Sequence, residues 1–105
     1  MDQTSTILQQ IKQSVLKTDP GATLILYGSY ARGDNKEDSD IDILVLIDKD
    51  KVTIEDRQRI GHPIYRIELE NETLICPILY SRKHWETKLS ITPFYKNVIS
   101  EGILL

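Results

Sequence analysis

At 105 residues, 40% of them apolar, the chain can bury one hydrophobic core and hardly two, so a single domain over residues 1–105 is expected. A formal net charge of −3 provides no basic field of the kind that gathers phosphate backbones, which sets direct nucleic-acid binding aside. Met1-Asp2-Gln3-Thr4 shows no basic segment leading into an apolar one, and no apolar run is long enough to cross a bilayer, so no membrane role and a cytoplasmic setting are expected. Cys76 is the only cysteine, which excludes an intrachain disulfide, and with His62 and His84 isolated there is no zinc-type ligand cluster.

From Thr4 to Lys17, Ile7, Ile11 and Val15 recur at four-residue steps with Leu8 and Leu16 alongside, which is one apolar face of a helix. Asp19-Pro20-Gly21 ends it, because proline disfavours a helical residue before it and glycine permits a turn. Thr23-Leu24-Ile25-Leu26-Tyr27 then has the length and composition of a central strand covered on both faces, ending at Gly28-Ser29. Tyr30 to Ser39 is a polar, charged loop, and Asp40 to Ile47 is a second strand with a strongly apolar end, so the two strands form a hairpin-like core unit.

Asp48-Lys49-Asp50-Lys51 is expected to be a solvated turn. Thr53 to about Asn71 carries Ile54, Ile60, Ile64, Ile67 and Leu69 among charges, which predicts a helix with a break or kink at Gly61-His62-Pro63. Thr73 to Tyr80 is a third strand whose Pro77 requires an edge position or a bulge. Ser81 to Glu86 starts a short helix capped by Ser81, with Trp85 covering the sheet. Thr92-Pro93 opens a last helix that runs to Gly102 and packs through Phe94, Val98 and Ile99. Tyr30, Tyr65, Tyr80 and Tyr95 are scattered and fit packing roles, and Cys76 fits a small apolar filler of the core. The order αβ-β-αβ-α predicts a compact α/β (α+β) domain with a small mixed sheet flanked by helices.

Four features fall together between Leu24 and Ile47: an apolar strand ending in Gly28-Ser29, a loop with Arg32-Gly33, and a second strand opening on Asp40-Ile41-Asp42. Glycine at position 28 lets backbone approach a phosphate, and the neighbouring amides with the Ser29 hydroxyl can donate to phosphoryl oxygens. Residues two apart on a strand share a face, so Asp40 and Asp42 project together while Ile41 and Ile43 face the other way. Paired carboxylates on one face suit hard Mg²⁺ ions, which at a spacing of about 3.5–4 Å clamp the attacking and leaving oxygens of a phosphoryl displacement. Arg32 has a planar fork suited to phosphate, or alternatively holds the loop.

Gly28-Ser29, ten intervening residues and Asp40-x-Asp42 together resemble the signature of the DNA polymerase β-like nucleotidyltransferase superfamily. The run from Gly28 to Val45 most resembles its minimal members, the MNT-type proteins related to MntA-like antitoxins, with weaker likeness at Ile75–Arg82, Trp85, Pro93–Val98 and Glu101-Gly102. The resemblance implies a polymerase β-like fold, Mg²⁺, and ATP or another NTP whose nucleoside monophosphate is moved to a hydroxyl. Gly28, Ser29 and Arg32 would then contact the triphosphate, and Asp40 and Asp42 would be the catalytic, metal-binding pair. It also implies a HEPN-domain protein as partner, with transfer of AMP to that toxin. Placed after Gly28-Ser29 at this spacing, an Asp-x-Asp that elsewhere is an ordinary solvated strand start becomes a nucleotide-metal site.

Active members usually add a third carboxylate from a later strand, and the matching stretch here, Leu74-Ile75-Cys76-Pro77-Ile78, has Cys76 or a neighbour at that place and no carboxylate. Cysteine is a poor Mg²⁺ ligand, so Glu68, Glu70 or Glu72, or a partner chain, would have to complete the site. The alternative reading is a catalytically inactive protein of the same fold that binds nucleotide or neutralises a toxin by contact. Transfer to a small molecule ranks last, because a chain this short offers no obvious second domain to enclose one.

Overall fold

Apolar side chains at helical spacing and at strand alternation form two cores, one on each face of a four-stranded sheet. The computed structural model describes residues 3–105, and Met1 and Asp2 lie outside the described residues. In chain order the elements are α1 (Gln3–Thr18), β1 (Thr23–Tyr27), a single turn α2 (Ser29–Arg32), β2 (Ile41–Ile47), α3 (Ile54–Asn71), β3 (Ile75–Ser81), α4 (Arg82–Thr87), α5 (Pro93–Glu101) and β4 (Ile103–Leu104). The strand order is β3-β2-β1-β4. β1 runs antiparallel to β2 and β4, whereas β3 runs parallel to β2 because α3 carries the chain back over the sheet. This is the mixed sheet flanked by helices that the element order predicts.

Alternation along β2 divides the cores. Ile41, Ile43, Val45 and Ile47 join Ile7, Ile11 and Val15 of α1 and Ile60, Ile64 and Ile67 of α3. Leu44 and Leu46 face the other way, onto Trp85 of α4 and Val98 of α5, with Tyr27, Tyr80 and Phe94 at the border. Trp85 does cover the sheet, and it stacks near Tyr80 and Tyr95 with ring centroids 6.0 and 4.8 Å away. No helix among the described residues is long and apolar enough to cross a membrane.

Three expectations about these elements need correction, and one element was not foreseen. The helix over residues 54–71 runs through Gly61-His62-Pro63 without a break: Ile60, Ile64 and Ile67 are buried on both sides of Pro63, and this packing outweighs one lost backbone hydrogen bond. The polar stretch from Tyr30 to Ser39 is not wholly loop, since its first residues complete the turn of α2. Ile99 is exposed, and α5 packs through Val98 and Phe94 instead. A short strand after Gly102 was not legible: β4 pairs with Leu26 and Ile25, and the Leu105 amide donates to the Leu24 carbonyl at 2.9 Å. Pro77 is at an edge as required. The Ile41 amide donates to the Leu74 carbonyl, a phase that turns the Pro77 nitrogen away from β2.

The charged turn after β2 is more than solvated. Asp48 accepts from Arg82 Nε at 2.7 Å, and Lys49 Nζ donates to the buried carboxylate of Asp56 at 2.8 Å. Asp56 also accepts from the Thr53 amide and from Arg59 Nη2, while Thr53 Oγ1 accepts from the Asp56 amide, a reciprocal cap at the start of α3. The Lys49 hydrogen bond, then those from Thr53 and Arg59, hold the Asp56 carboxyl far below the ordinary carboxylate range. A carboxyl depressed in the folded state contributes stability above its unfolded value near 4 and loses it as pH falls toward the folded value. Urea unfolding from pH 7 to pH 3 should therefore show stability declining below about pH 5, and less steeply in Asp56→Asn, which itself costs about 1–3 kcal/mol at pH 7. Identical slopes for the two proteins would remove Asp56 from the explanation.

Candidate active site

β1 ends at Tyr27, and the chain turns at Gly28, whose φ of 77° is left-handed and favours glycine. The Gly28 carbonyl accepts from the Ala31 and Arg32 amides at 3.1 and 3.0 Å, and the Ser29 carbonyl accepts from Gly33 and Asp34. This tight turn stands beside β2 in a register that sets Tyr27 opposite Asp42. A β-carbon at position 28 would fall within van der Waals contact of Asp42 Oδ2 and 3.2 Å from its carboxyl carbon. Glycine is thus required twice over, by backbone conformation and by the carboxylate that occupies its flank.

The turn forms one wall of a cleft of about 370 Å³. Tyr27, Gly28, Ser29, Arg32 and Asp42 line one side, and Phe94, Asn97, Val98 and Glu101 of α5 line the other. Phe94 packs edge-on against Tyr27 with centroids 5.3 Å apart, an aromatic contact between the two sides. Burial, joined by the charge of Asp42, pushes the Tyr27 hydroxyl up to about 12. Tyr27 is therefore a protonated donor at neutral pH.

The parallel register sets Cys76 beside Asp42, completing a row Tyr27, Asp42, Cys76 across three strands. The Cys76 thiol donates to Asp40 Oδ2 at 3.6 Å, which places Asp40 on the same face, just ahead of β2. Burial and then the charge of Asp40 raise the Asp42 carboxyl above its ordinary value, with Arg32 opposing. Burial and the same two carboxylates raise the Cys76 thiol, so it remains a neutral hydrogen-bond donor. Cys76 is half-buried beside the acids and does not fill the core as expected.

Of the residues singled out in the sequence, Gly28, Ser29, Arg32 and Asp42 meet in one cleft, and Asp40 lies beside it under Cys76. Arg32 shows the second of its two expected roles. Its Nε donates to Asp34 at 3.1 Å and its Nη1 to both Glu101 oxygens at 3.2 Å, holding the loop to α5. Glu68 Oε1 accepts from the Ile75 amide at 2.9 Å, and the charge of Glu68 reaches the Cys76 thiol beside the acidic pair. Glu70 lies in the groove beside α1, and Glu72 is the left-handed end of α3. Glu101 and Asn97 were missed as site residues. Phe94, Asn97, Val98 and Glu101 stand at helical spacing i, i+3, i+4 and i+7, the signal that would have put them on one face.

A mixed sheet carrying a glycine-serine turn against an Asp-x-Asp strand is the arrangement expected of a nucleotidyltransferase. The chain belongs to the nucleotidyltransferase domain family, whose sequence model matches residues 8–104. Two Methanocaldococcus jannaschii proteins, both provisionally named protein adenylyltransferases, are similar to it. One is 38% identical over 78 residues, covering 72% of this chain and 78% of that protein, and the other 37% over 82 residues, covering 78% and 75%. Among solved structures, a minimal nucleotidyltransferase superposes with a TM-score of 0.62 at 21% identity, over 100% of this chain and 97% of the other. A toxin–antitoxin complex with AMP-PNP superposes with a TM-score of 0.61 at 22% identity, over 91% of this chain and 69% of its counterpart. These structural likenesses show the fold.

Gly28→Ala is expected to lower stability by about 1–3 kcal/mol, because it forces a β-carbon into Asp42 at a positive φ. Thermal unfolding measures this. Unchanged stability would mean that the turn and Asp42 are not pressed together.

Proposed function

We propose that this chain moves AMP from ATP to a hydroxyl on a partner protein, as the antitoxin of a toxin–antitoxin pair whose toxin is a HEPN-domain protein. The observation that carries the reading is the cleft in which the Gly28-Ser29 turn and Asp42 converge beside Asp40. The adenylyltransferase names of the two M. jannaschii relatives support AMP as the group moved, and the toxin–antitoxin neighbours support a protein partner. Asp40, Asp42, Gly28, Ser29 and Arg32 are the residues to which the reaction is assigned.

The residues fit a divalent cation on one physical ground: two carboxylates share a face, and the charge of one raises the other, a repulsion that a cation relieves. Asp40 and Asp42 would hold Mg²⁺, with nucleotide phosphates supplying further oxygens. When bound, Mg²⁺ neutralises the phosphates and favours deprotonation of the acceptor hydroxyl. The chain's own contribution is positioning. The Gly28-Ser29 turn offers amide and hydroxyl donors to phosphoryl oxygens. The acceptor hydroxyl loses its proton to solvent as its oxygen bonds to the α-phosphorus, the bond to the bridging oxygen breaks, and pyrophosphate leaves with that electron pair.

Cys76 favours a second reading. A neutral thiol faces the carboxylate pair where a third carboxylate would add charge, so a protein that binds its toxin without modifying it is consistent with the same fold. Incubation with labelled ATP, Mg²⁺ and the protein encoded by the adjacent gene separates the two. Covalent label on that protein supports transfer, and a tight unlabelled complex supports the binder.

Asp40→Asn combined with Asp42→Asn should abolish Mg²⁺-dependent transfer, a loss of at least about 10²-fold, while leaving the fold intact. Transfer at wild-type rate by the folded double variant would overturn the assignment.

A further inference from the structure

One acidic side chain lies on two of the donors in the cleft, the Gly28 amide and the Arg32 guanidinium. Glu101 Oε1 accepts from the Gly28 amide at 3.4 Å, and both of its oxygens accept from Arg32 Nη1 at 3.2 Å. The fold fixes this placement. Glu101 is the last residue of α5, and the Gly102 amide closes the helix on the Val98 carbonyl at 2.7 Å. Gly102 itself has no room for a β-carbon against Val98 and Ile25, and the chain leaves it as β4 on the edge of the sheet. The Glu101 side chain is only 22% exposed.

A brace for Arg32 would need the guanidinium contact alone. The added bond from the Gly28 amide puts the carboxylate on the turn itself, where a phosphoryl oxygen would sit. Carboxylate and phosphate oxygens compete for the same N–H donors, and Asp34 engages Arg32 at Nε. Glu101 also brings a second negative charge to a cleft that already holds Asp42. We infer that Glu101 is an internal competitor for the phosphate position, so that nucleotide entry requires its carboxylate to leave the Gly28 amide and Arg32. This inference rests on the nucleotide reading of the cleft given above.

Calorimetric titration with Mg²⁺–AMP-PNP, and separately with Mg²⁺–tripolyphosphate, tests it on wild type, Glu101→Gln and Asp34→Asn, with circular dichroism confirming the fold. Glu101→Gln keeps the shape and removes the charge, and it should bind both ligands about five-fold tighter than wild type, since the competition concerns phosphate and not the base. Asp34→Asn removes an equal charge from Arg32 without touching Gly28, and its gain should be smaller. Equal or weaker binding by folded Glu101→Gln, or an equal gain in Asp34→Asn, overturns the inference. Glu101→Ala is judged by the same criterion if the glutamine variant does not fold. Failure of the wild-type protein and of every folded variant to bind either ligand would instead remove the nucleotide reading and leave the competitor without an object.

Discussion

The carboxylate of Asp42 fills the space beside Gly28 that any other residue's β-carbon would claim, and the site follows from that contact. It exists because β1 and β2 pair with Tyr27 opposite Asp42. The apolar residues of β2 enforce this register. Ile41, Ile43, Val45 and Ile47 are fully buried against α1 and α3, so a one-residue slip would drive Asp42 into that core and expose isoleucines in its place. Hydrophobic patterning, and no interaction within the site, is what holds the acid against the turn.

The remaining elements bring two further groups to the same face. α3 returns the chain so that β3 runs parallel to β2 and Cys76 falls beside Asp42, with its thiol donating to Asp40. α5 crosses the open end with one face, packing Phe94 and Val98 inward while Asn97 and Glu101 line the cleft. Charge in the cleft is therefore finely opposed. Two carboxylates repel across the start of β2, a neutral thiol sits where added charge would be costly, and Arg32 is shared between Asp34 and Glu101. Such a cleft has much to gain from a cation, and Glu101 already engages the Gly28 amide and Arg32.

Much of this was legible in the sequence because it depends on local pattern. Ile7, Ile11 and Val15 announce α1, Thr92-Pro93 announces α5 through the cap it forms with the Tyr95 amide, and Pro77 confines β3 to an edge. The family spacing from Gly28-Ser29 to Asp40-x-Asp42 led to four residues of one cleft and a fifth beside it. What was not legible depends on tertiary contact. Pro63 is tolerated in α3 because packing on both sides of it exceeds the local cost, a balance that composition does not show. β4 is two residues long and owes its existence to the β1 edge. Cys76 reads both as a small core filler and, with its neighbours, as the residue at the third-carboxylate place, and the register decides for the second by setting it beside Asp42. Glu101 joins Gly28 across a separation of 73 residues that no local signal spans.

The most direct measurement is anomalous diffraction from crystals grown with Mn²⁺ and AMP-PNP, which locates the ion and the phosphates together. The expected result is a manganese peak contacted by Asp40 and Asp42, with phosphates lying against the Gly28-Ser29 turn. A nucleotide bound elsewhere, or a metal peak away from both carboxylates, would contradict the assignment of the cleft.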